Sequence, residues 1–298
     1  MIDCPTIRKR SIRFHYDLVT PFYRLFWGRH LHHGLWNGDE TPRQAQQQLT
    51  DALAGEAVRV GDRLLDVGCG MGGSSIHLAR ELGCCVTGIT LSSVQQRWAT
   101  GAAWLGRANR RADFLCADIE SLDLPTSSFD VIWSIECTEH LFDKPAFFQK
   151  AADWLRPGGR VAICAWLAGN TDSAENVQLV KKVCEAFLCP SLGSMADYQS
   201  WMQDAGLCLK VCHDWTDRVA RTWEICQQRV ERSRVRSVAS WFGKETADFL
   251  DHFSTILRAY RSGAMRYGAL VFEKPPVVKD SITSPEETDC VTLATRLR

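Results

Sequence analysis

The chain has 298 residues and carries 35 Lys+Arg against 35 Asp+Glu, so its formal charge is zero. That balance argues against a general polyanion binder, which carries a basic excess, and no nucleic-acid partner is expected. Hydrophobic residues at 45% and charged residues at 23% exclude a disordered or fibrous chain, and the odd count of 13 cysteines without a Cys-x-x-Cys pair makes a poor disulfide framework and a poor zinc site.

The opening stretch Met1 to Arg13 is polar and basic without an apolar h-region, so no secretory signal is expected. No apolar run approaches the length of a membrane span, so stable membrane insertion is not expected either. The stripe Leu18, Phe22, Tyr23 and Phe26 predicts an amphipathic N-terminal helix. Thr41 and Pro42 open a second helix, as N-cap and first helical residue. Strands and helices then alternate. Arg63 to Val67 reads as a strand, Ser74 to Leu82 as a helix, Cys84 to Ile89 as a strand, and Ser92 as the cap of a helix with Gln95 as its capping-box partner. Strands follow at Ala112 to Ala117 and Phe129 to Ile135. A helix from Pro145 to Leu155 stops at Pro157-Gly158-Gly159, and Arg160 to Trp166 is a fifth strand. Helices at Asn176 to Phe187 and Met195 to Ala205, a strand at Leu209 to Trp215 and a last strand at Tyr267 to Glu273 complete the pattern.

This alternation predicts an α/β, Rossmann-like, doubly wound and mostly parallel seven-stranded sheet. The expected organisation is a helical lid over residues 1–60 and a core over 61–216. A helical cap insertion over 217–262, the last core strand over 263–274 and a disordered tail over 275–298 follow.

The strongest local signal is Leu64-Leu65-Asp66-Val67-Gly68-Cys69-Gly70-Met71-Gly72-Gly73. A strand that runs through a glycine turn into a helix lets a nucleotide approach bare backbone at a helix N-terminus. Gly68, Gly70 and Gly73 also satisfy the pattern of NAD enzymes. That reading wants an acid at the next strand end, where Gly88-Ile89-Thr90 stands instead. Asp66, two residues before the first glycine, can hold a cationic ligand or order the turn.

The segment from Asp66 to Gly73 resembles the first motif of class I S-adenosylmethionine-dependent methyltransferases. Asp118 looks like their adenine-contacting acid, beside Ile119, and Leu155 to Gly159 like their late Pro-Gly-Gly turn. Gly88-Ile89-Thr90-Leu91-Ser92 and Gln95 are similar to the subgroup of gamma-tocopherol, sterol and cyclopropane-fatty-acid methyltransferases. His33-Gly34-Leu35-Trp36, the run Ser134 to His140, Asp214-Trp215 and Met265 to Gly268 most resemble the tocopherol methyltransferase branch of that subgroup. The resemblance implies S-adenosylmethionine as cofactor, contacted by Asp66, Gly68, Gly70, Gly72, Thr90, Leu91, Gln95, Asp118, Ile119, Glu136 and Tyr16. It places Tyr16, His33 and Trp36 in a lid over cofactor and acceptor.

Methyl transfer is an in-line displacement in which the protein excludes water, aligns the nucleophile and neutralises a released proton. The fourth strand end is where the methyl points, so Glu136, Glu139 and His140 are the candidate catalytic residues. Tyr16, Phe22, His33, Trp36, Trp166 and Trp215 are the expected substrate-binding set. Aromatic side chains of the lid and cap can line a flat or isoprenoid pocket or steady a cation. His30, His32 and His33 lack metal-ligand spacing and an acidic partner, so no metal is expected; His30 and His32 read as surface or packing residues. The arginine run Arg229, Arg232, Arg234 and Arg236 reads first as a solvated helix face. The expected protein is a cytoplasmic methyltransferase for a small, largely apolar acceptor, with O, N and C open as the methylated atom; a homo-oligomer is allowed. The alternatives are an NAD-dependent oxidoreductase on the same fold and an inactive binding protein.

Overall fold

In the computed structural model, residues 1–26, 28, 30–232 and 250–276 are described. In chain order, β1 (Ile2–Asp3) and α1 (Lys9–Phe26) precede α2 (Pro42–Ala57), β2 (Arg63–Val67), α3 (Gly73–Glu81), β3 (Cys85–Thr90), α4 (Ser93–Leu105) and β4 (Ala112–Cys116). Then come β5 (Phe129–Ile135), a single 3-10 turn at Thr138–His140, α5 (Lys144–Trp154), β6 (Leu155–Ala168), α6 (Ala174–Ala186), β7 (Ser191–Leu192) and α7 (Met195–Asp204). β8 (Cys208–Asp214), α8 (Thr216–Val219), α9 (Arg221–Arg232), a 3-10 turn at Leu250–His252, α10 (Phe253–Arg261) and β9 (Met265–Glu273) follow.

Seven strands form one sheet in the order β4-β3-β2-β5-β6-β9-β8. Parallel pairing joins β4 through β6, and β9 runs antiparallel between β6 and β8. The apolar runs of β2, β3, β5, β6 and β9 are mostly buried on both faces, as a sheet sandwiched by helices requires, whereas the edge strand β8 is largely exposed. One face packs Leu49 and Leu53 of α2, Ala99 and Ala103 of α4, and Val180 and Val183 of α6. The other packs Phe147 and Phe148 of α5 and Tyr198 and Met202 of α7.

Local chemistry sets the helix starts. Thr41 and Gln44 close a full capping box ahead of Pro42, and the Ser92 hydroxyl accepts from the Gln95 backbone. β6 differs from the expected strand by starting at Leu155. The Pro157-Gly158-Gly159 stretch forms a bulge between the pairs Phe129–Leu155 and Val131–Arg160. A two-stranded antiparallel ribbon of β1 and β7 also lies outside the expectations. Arg234, Arg236, Trp241 and nearly all of the tail at 275–298 lie outside the described residues.

The chain's order along the sheet reverses between β2 and β5, and ligands of open α/β sheets bind beyond the strand carboxyl ends at such a point. α1 crosses over this place. At its start, Lys9 Nζ meets Asp118 Oδ2 at 2.6 Å and Glu120 Oε2 at 2.7 Å. Farther along, Asp17 Oδ1 accepts from Ser92 Oγ at 2.6 Å and from the Val94 backbone, capping α4. The second cover is tied on by Thr222 of α9, whose hydroxyl accepts from the Gly34 backbone at 3.0 Å and from Trp36 Nε1 at 2.9 Å.

Candidate active site

Beneath these covers lies a cleft with about 1350 Å³ of space unfilled by atoms, the open solvent at its mouth included. Its floor is the glycine turn after β2. Gly68 has φ +77° and abuts Cys137 so closely that a Cβ would sit 2.3 Å from that side chain. Gly70 has φ +52°, and the nearest atom a Cβ there would meet is 3.9 Å away, on Leu31. The backbone at Gly70 is therefore bare toward the cleft. Gly72 is the N-cap of α3 and backs onto Phe114 and Ala99 instead.

Asp66 ends this floor. It is 3% exposed, and its Oδ2 accepts from Ser75 Oγ. Burial pushes its carboxyl up to about 7, only partly offset by Ser75. A cationic ligand at this carboxylate would offset that cost. Thr90 and Gln95 are joined side chain to side chain at 2.8 Å and line the cleft with Leu91. The bare Gly70 backbone, the buried Asp66 carboxyl and this polar edge match the methionyl and ribose parts of S-adenosylmethionine, so the residues present fit that cofactor.

Glu136 follows β5 with φ +52°, a left-handed conformation costly for a residue with a Cβ. Four donors hold its carboxylate. Oε1 accepts from the His33 backbone at 2.8 Å, His33 Nδ1 at 2.9 Å and Tyr267 Oη at 2.7 Å, and Oε2 accepts from Trp166 Nε1 at 3.1 Å. Burial alone would raise its pKa, but the adjacent His33 outweighs burial and brings it to about 2. So satisfied a carboxylate is a fixed negative charge and a poor proton acceptor, which departs from its expected catalytic candidacy. Aromatic rings enclose His33: Trp166, Trp223, Tyr260 and Tyr267 all lie 5.1–5.9 Å away, centroid to centroid.

The 3-10 turn carries the other two candidates. Glu139 is 2% exposed; its Oε1 accepts from the Trp166 backbone, and its Oε2 has no partner. Burial pushes it up to about 8. His140 Nδ1 lies 3.0 Å from the Leu188 carbonyl. A carbonyl only accepts, so Nδ1 carries the proton and Nε2 keeps its lone pair. Tyr16 Oη therefore donates to Nε2, at 2.9 Å. Burial brings His140 down to about 4, leaving a neutral imidazole at physiological pH. Cys137 and Cys189 also line the cleft, but burial raises both thiols and keeps them protonated.

The structure thus gathers Tyr16, His33, Asp66, Gly68, Gly70, Thr90, Leu91, Gln95, Glu136, Glu139, His140 and Trp166 around one cleft. It places other expected residues elsewhere. Asp118 is held by Lys9, Ile119 is buried in the core beside α5, and Trp36 packs under Arg221 with its indole on Thr222. Trp215 stacks on His213. The Phe22 side chain lies outside the described part. His30 and His32, expected on the surface or in packing, stand in the cleft wall with His30 Nδ1 3.0 Å from His32 Nε2. Among the described residues no cluster is suited to a metal ion. Residues that sequence reasoning did not assign to the site include Phe187, Thr222, Phe253 and Tyr267. Only Tyr267 stood in a noted motif, and the apolar wall of Phe187, Trp223 and Phe253 comes from segments without one.

Residues 5–267 match the family of mycolic acid cyclopropane synthetase. The chain is 35% identical to the 27-O-demethylrifamycin SV methyltransferase of Amycolatopsis mediterranei over 75% of its length and 83% of that protein's. It is 27% identical to the chloroplastic tocopherol O-methyltransferase of Arabidopsis thaliana over 90% of its length and 82% of that protein's. A solved cyclopropane synthase of Mycobacterium tuberculosis superposes with a TM-score of 0.79 at 19% identity, covering 91% of this chain and all of that one, and so shares the fold. The family match, the glycine floor and the shared fold converge: the chain belongs to the mycolic acid cyclopropane synthetase family and is an S-adenosylmethionine-dependent methyltransferase.

Proposed function

We propose that this enzyme methylates a hydroxyl oxygen on a small, largely apolar natural product of aromatic or isoprenoid character, with His140 as general base. The observation that carries this reading is the neutral His140. Its proton is fixed on Nδ1 by the Leu188 carbonyl, and its lone pair points to the Tyr16 hydroxyl at the cleft wall. An acceptor hydroxyl that replaces or joins the Tyr16 contact can pass its proton to Nε2 as the oxygen attacks.

When bound, S-adenosylmethionine supplies an electrophilic methyl on a sulfonium. Asp66 and the Gly70 backbone hold the cofactor, with Thr90 and Gln95 beside it; the rings of Trp166, Phe187, Trp223 and Phe253 exclude water around the acceptor. The described residues within 1–60 act as a lid, through Tyr16 and His33, and those within 217–262 as a cap. Glu136 keeps a fixed negative charge behind the His33 ring. The rifamycin and tocopherol relatives, both named for methyl transfer to such molecules, support this acceptor class. Carbon methylation of an isoprenoid double bond is the second reading, favoured by a permanently ionised Glu136 within a ring of aromatics suited to a carbocation. Among the described residues no helix is long and apolar enough to cross a membrane.

The test is transfer of labelled methyl to a panel of phenols, aliphatic alcohols, amines and prenylated compounds by the wild type and His140→Ala. O-methyl product with a large loss of kcat in His140→Ala supports the reading. Products carrying the label only on nitrogen or carbon refute it, as does a full rate without His140.

A further inference from the structure

Lys144, in the first turn of α5, is 1% exposed. Lysine is almost never buried so far unless its charge is compensated. Here the ammonium donates to the Leu141 carbonyl at 2.9 Å, the Ser191 carbonyl at 3.1 Å and Ser191 Oγ at 2.7 Å. An ammonium has three donors, and all three are used. A methionine would fill similar space without desolvating a charge. Stability alone therefore gives no reason for a lysine here, whereas the identity of its acceptors does.

Leu141 directly follows the turn that bears Glu139 and His140. Ser191 lies three residues beyond Leu188, whose carbonyl takes the Nδ1 proton of His140. Leu188 has φ +57°, a conformation that leucine keeps only when its surroundings impose it. Two supports impose it from the far side: Cys4 N donates to the Pro190 carbonyl at 2.7 Å, and Ser191 pairs with Asp3 in the ribbon. The near side is held by Lys144.

We propose that Lys144 is a positioning residue for His140: its buried ammonium clamps the turn bearing the imidazole to the segment bearing the Leu188 carbonyl, and so fixes the tautomer with the proton on Nδ1. The consequence for turnover rests on the reading of His140 as the base. With the clamp gone, the Leu188 carbonyl drifts and the imidazole is free to carry its proton on Nε2, where it cannot accept one from a substrate.

The test uses the full chain with nitrogen-labelled histidine, in wild type and Lys144→Met, with His140→Gln to assign the signal. Long-range proton–nitrogen spectra at neutral pH read the tautomer directly, and steady-state kinetics are measured alongside. Expected are a single Nδ1–H tautomer in the wild type and a substantial Nε2–H population in Lys144→Met. The expected fall in kcat is about tenfold or more, against the general-base contribution it withdraws, with KM for S-adenosylmethionine nearly unchanged. Ser191→Ala removes one of the three acceptors and keeps the charge; it gives the same change in smaller measure and is the decisive variant if Lys144→Met does not fold. An unaltered tautomer in a folded variant overturns the clamp. A shifted tautomer at full rate supports the clamp and overturns only the base reading.

Discussion

Replacing Glu136 by Gln keeps the shape of the side chain and removes its charge, and the cost can be worked from its four donors. The carboxylate serves two His33 N–H groups and the Tyr267 hydroxyl on one oxygen and the Trp166 indole on the other. A glutamine amide keeps one oxygen for the first three and turns an NH2 toward the indole N–H, setting donor against donor. Holding the carboxyl at about 2 instead of its ordinary 4.5 is worth about 3 kcal/mol of folding stability at neutral pH. Because the folded pKa is the depressed one, this contribution is complete above pH 4.5 and fades as pH falls toward 2. Asp66 and Glu139, raised to about 7 and about 8, act the other way, gaining stability as pH falls below those values; Asp66 cancels in the difference, and Glu139 cancels except for the part of its rise that comes from the Glu136 charge. Urea unfolding of wild type and variant across the acid range should show a gap of about 3 kcal/mol at pH 7 that narrows steeply below pH 4. A gap under about 1 kcal/mol, or one that persists undiminished at pH 2.5, would refute the assignment of Glu136 as an ionised, fully satisfied anchor.

Asp66→Ala should abolish calorimetric binding of S-adenosylmethionine while circular dichroism stays that of a folded protein. In the wild type, affinity for this cationic cofactor should rise as pH increases through about 7, where Asp66 ionises, and binding below that pH should release a proton. The pH profile of kcat should lose activity only as pH drops through about 4, where His140 takes a proton, and not near the ordinary histidine value; an acid limb near 6.5 would show that the buried imidazole is not the base. Gly68→Ala should destabilise the fold by roughly 2–4 kcal/mol, because its Cβ would collide with Cys137 at 2.3 Å in a left-handed conformation, readable as a drop in Tm.

The sheet was legible because its strands are short apolar runs between strong punctuation, and because Asp66 to Gly73 and Ser92 to Gln95 carry their structural reasons locally. The same holds for Asp66, Thr90, Gln95 and His140 as cleft residues. What stayed hidden depends on partners far along the chain. Glu136 reads as a candidate base until His33 and Tyr267, 103 and 131 residues away, are seen upon it. Asp118 reads by resemblance as an adenine-contacting acid until Lys9, 109 residues earlier, is found on its carboxylate. The β1–β7 ribbon is two residues long on each side, too short to leave a periodicity. Trp36 and Trp215 were misplaced for a different reason: an aromatic ring in a covering segment can face the cleft or the cover's own packing, and composition does not say which.

The position of β9 has a bearing on how the enzyme comes into being. This strand, formed by residues 265–273, inserts between β6 and β8, and β8 has no other strand neighbour in the sheet. During synthesis, β8 therefore emerges without its pairing surface and must wait for some fifty further residues before it can join the sheet. Tyr267 of that same strand delivers one of the donors on Glu136. One edge of the sheet and the donor set on Glu136 are thus completed in a single late step.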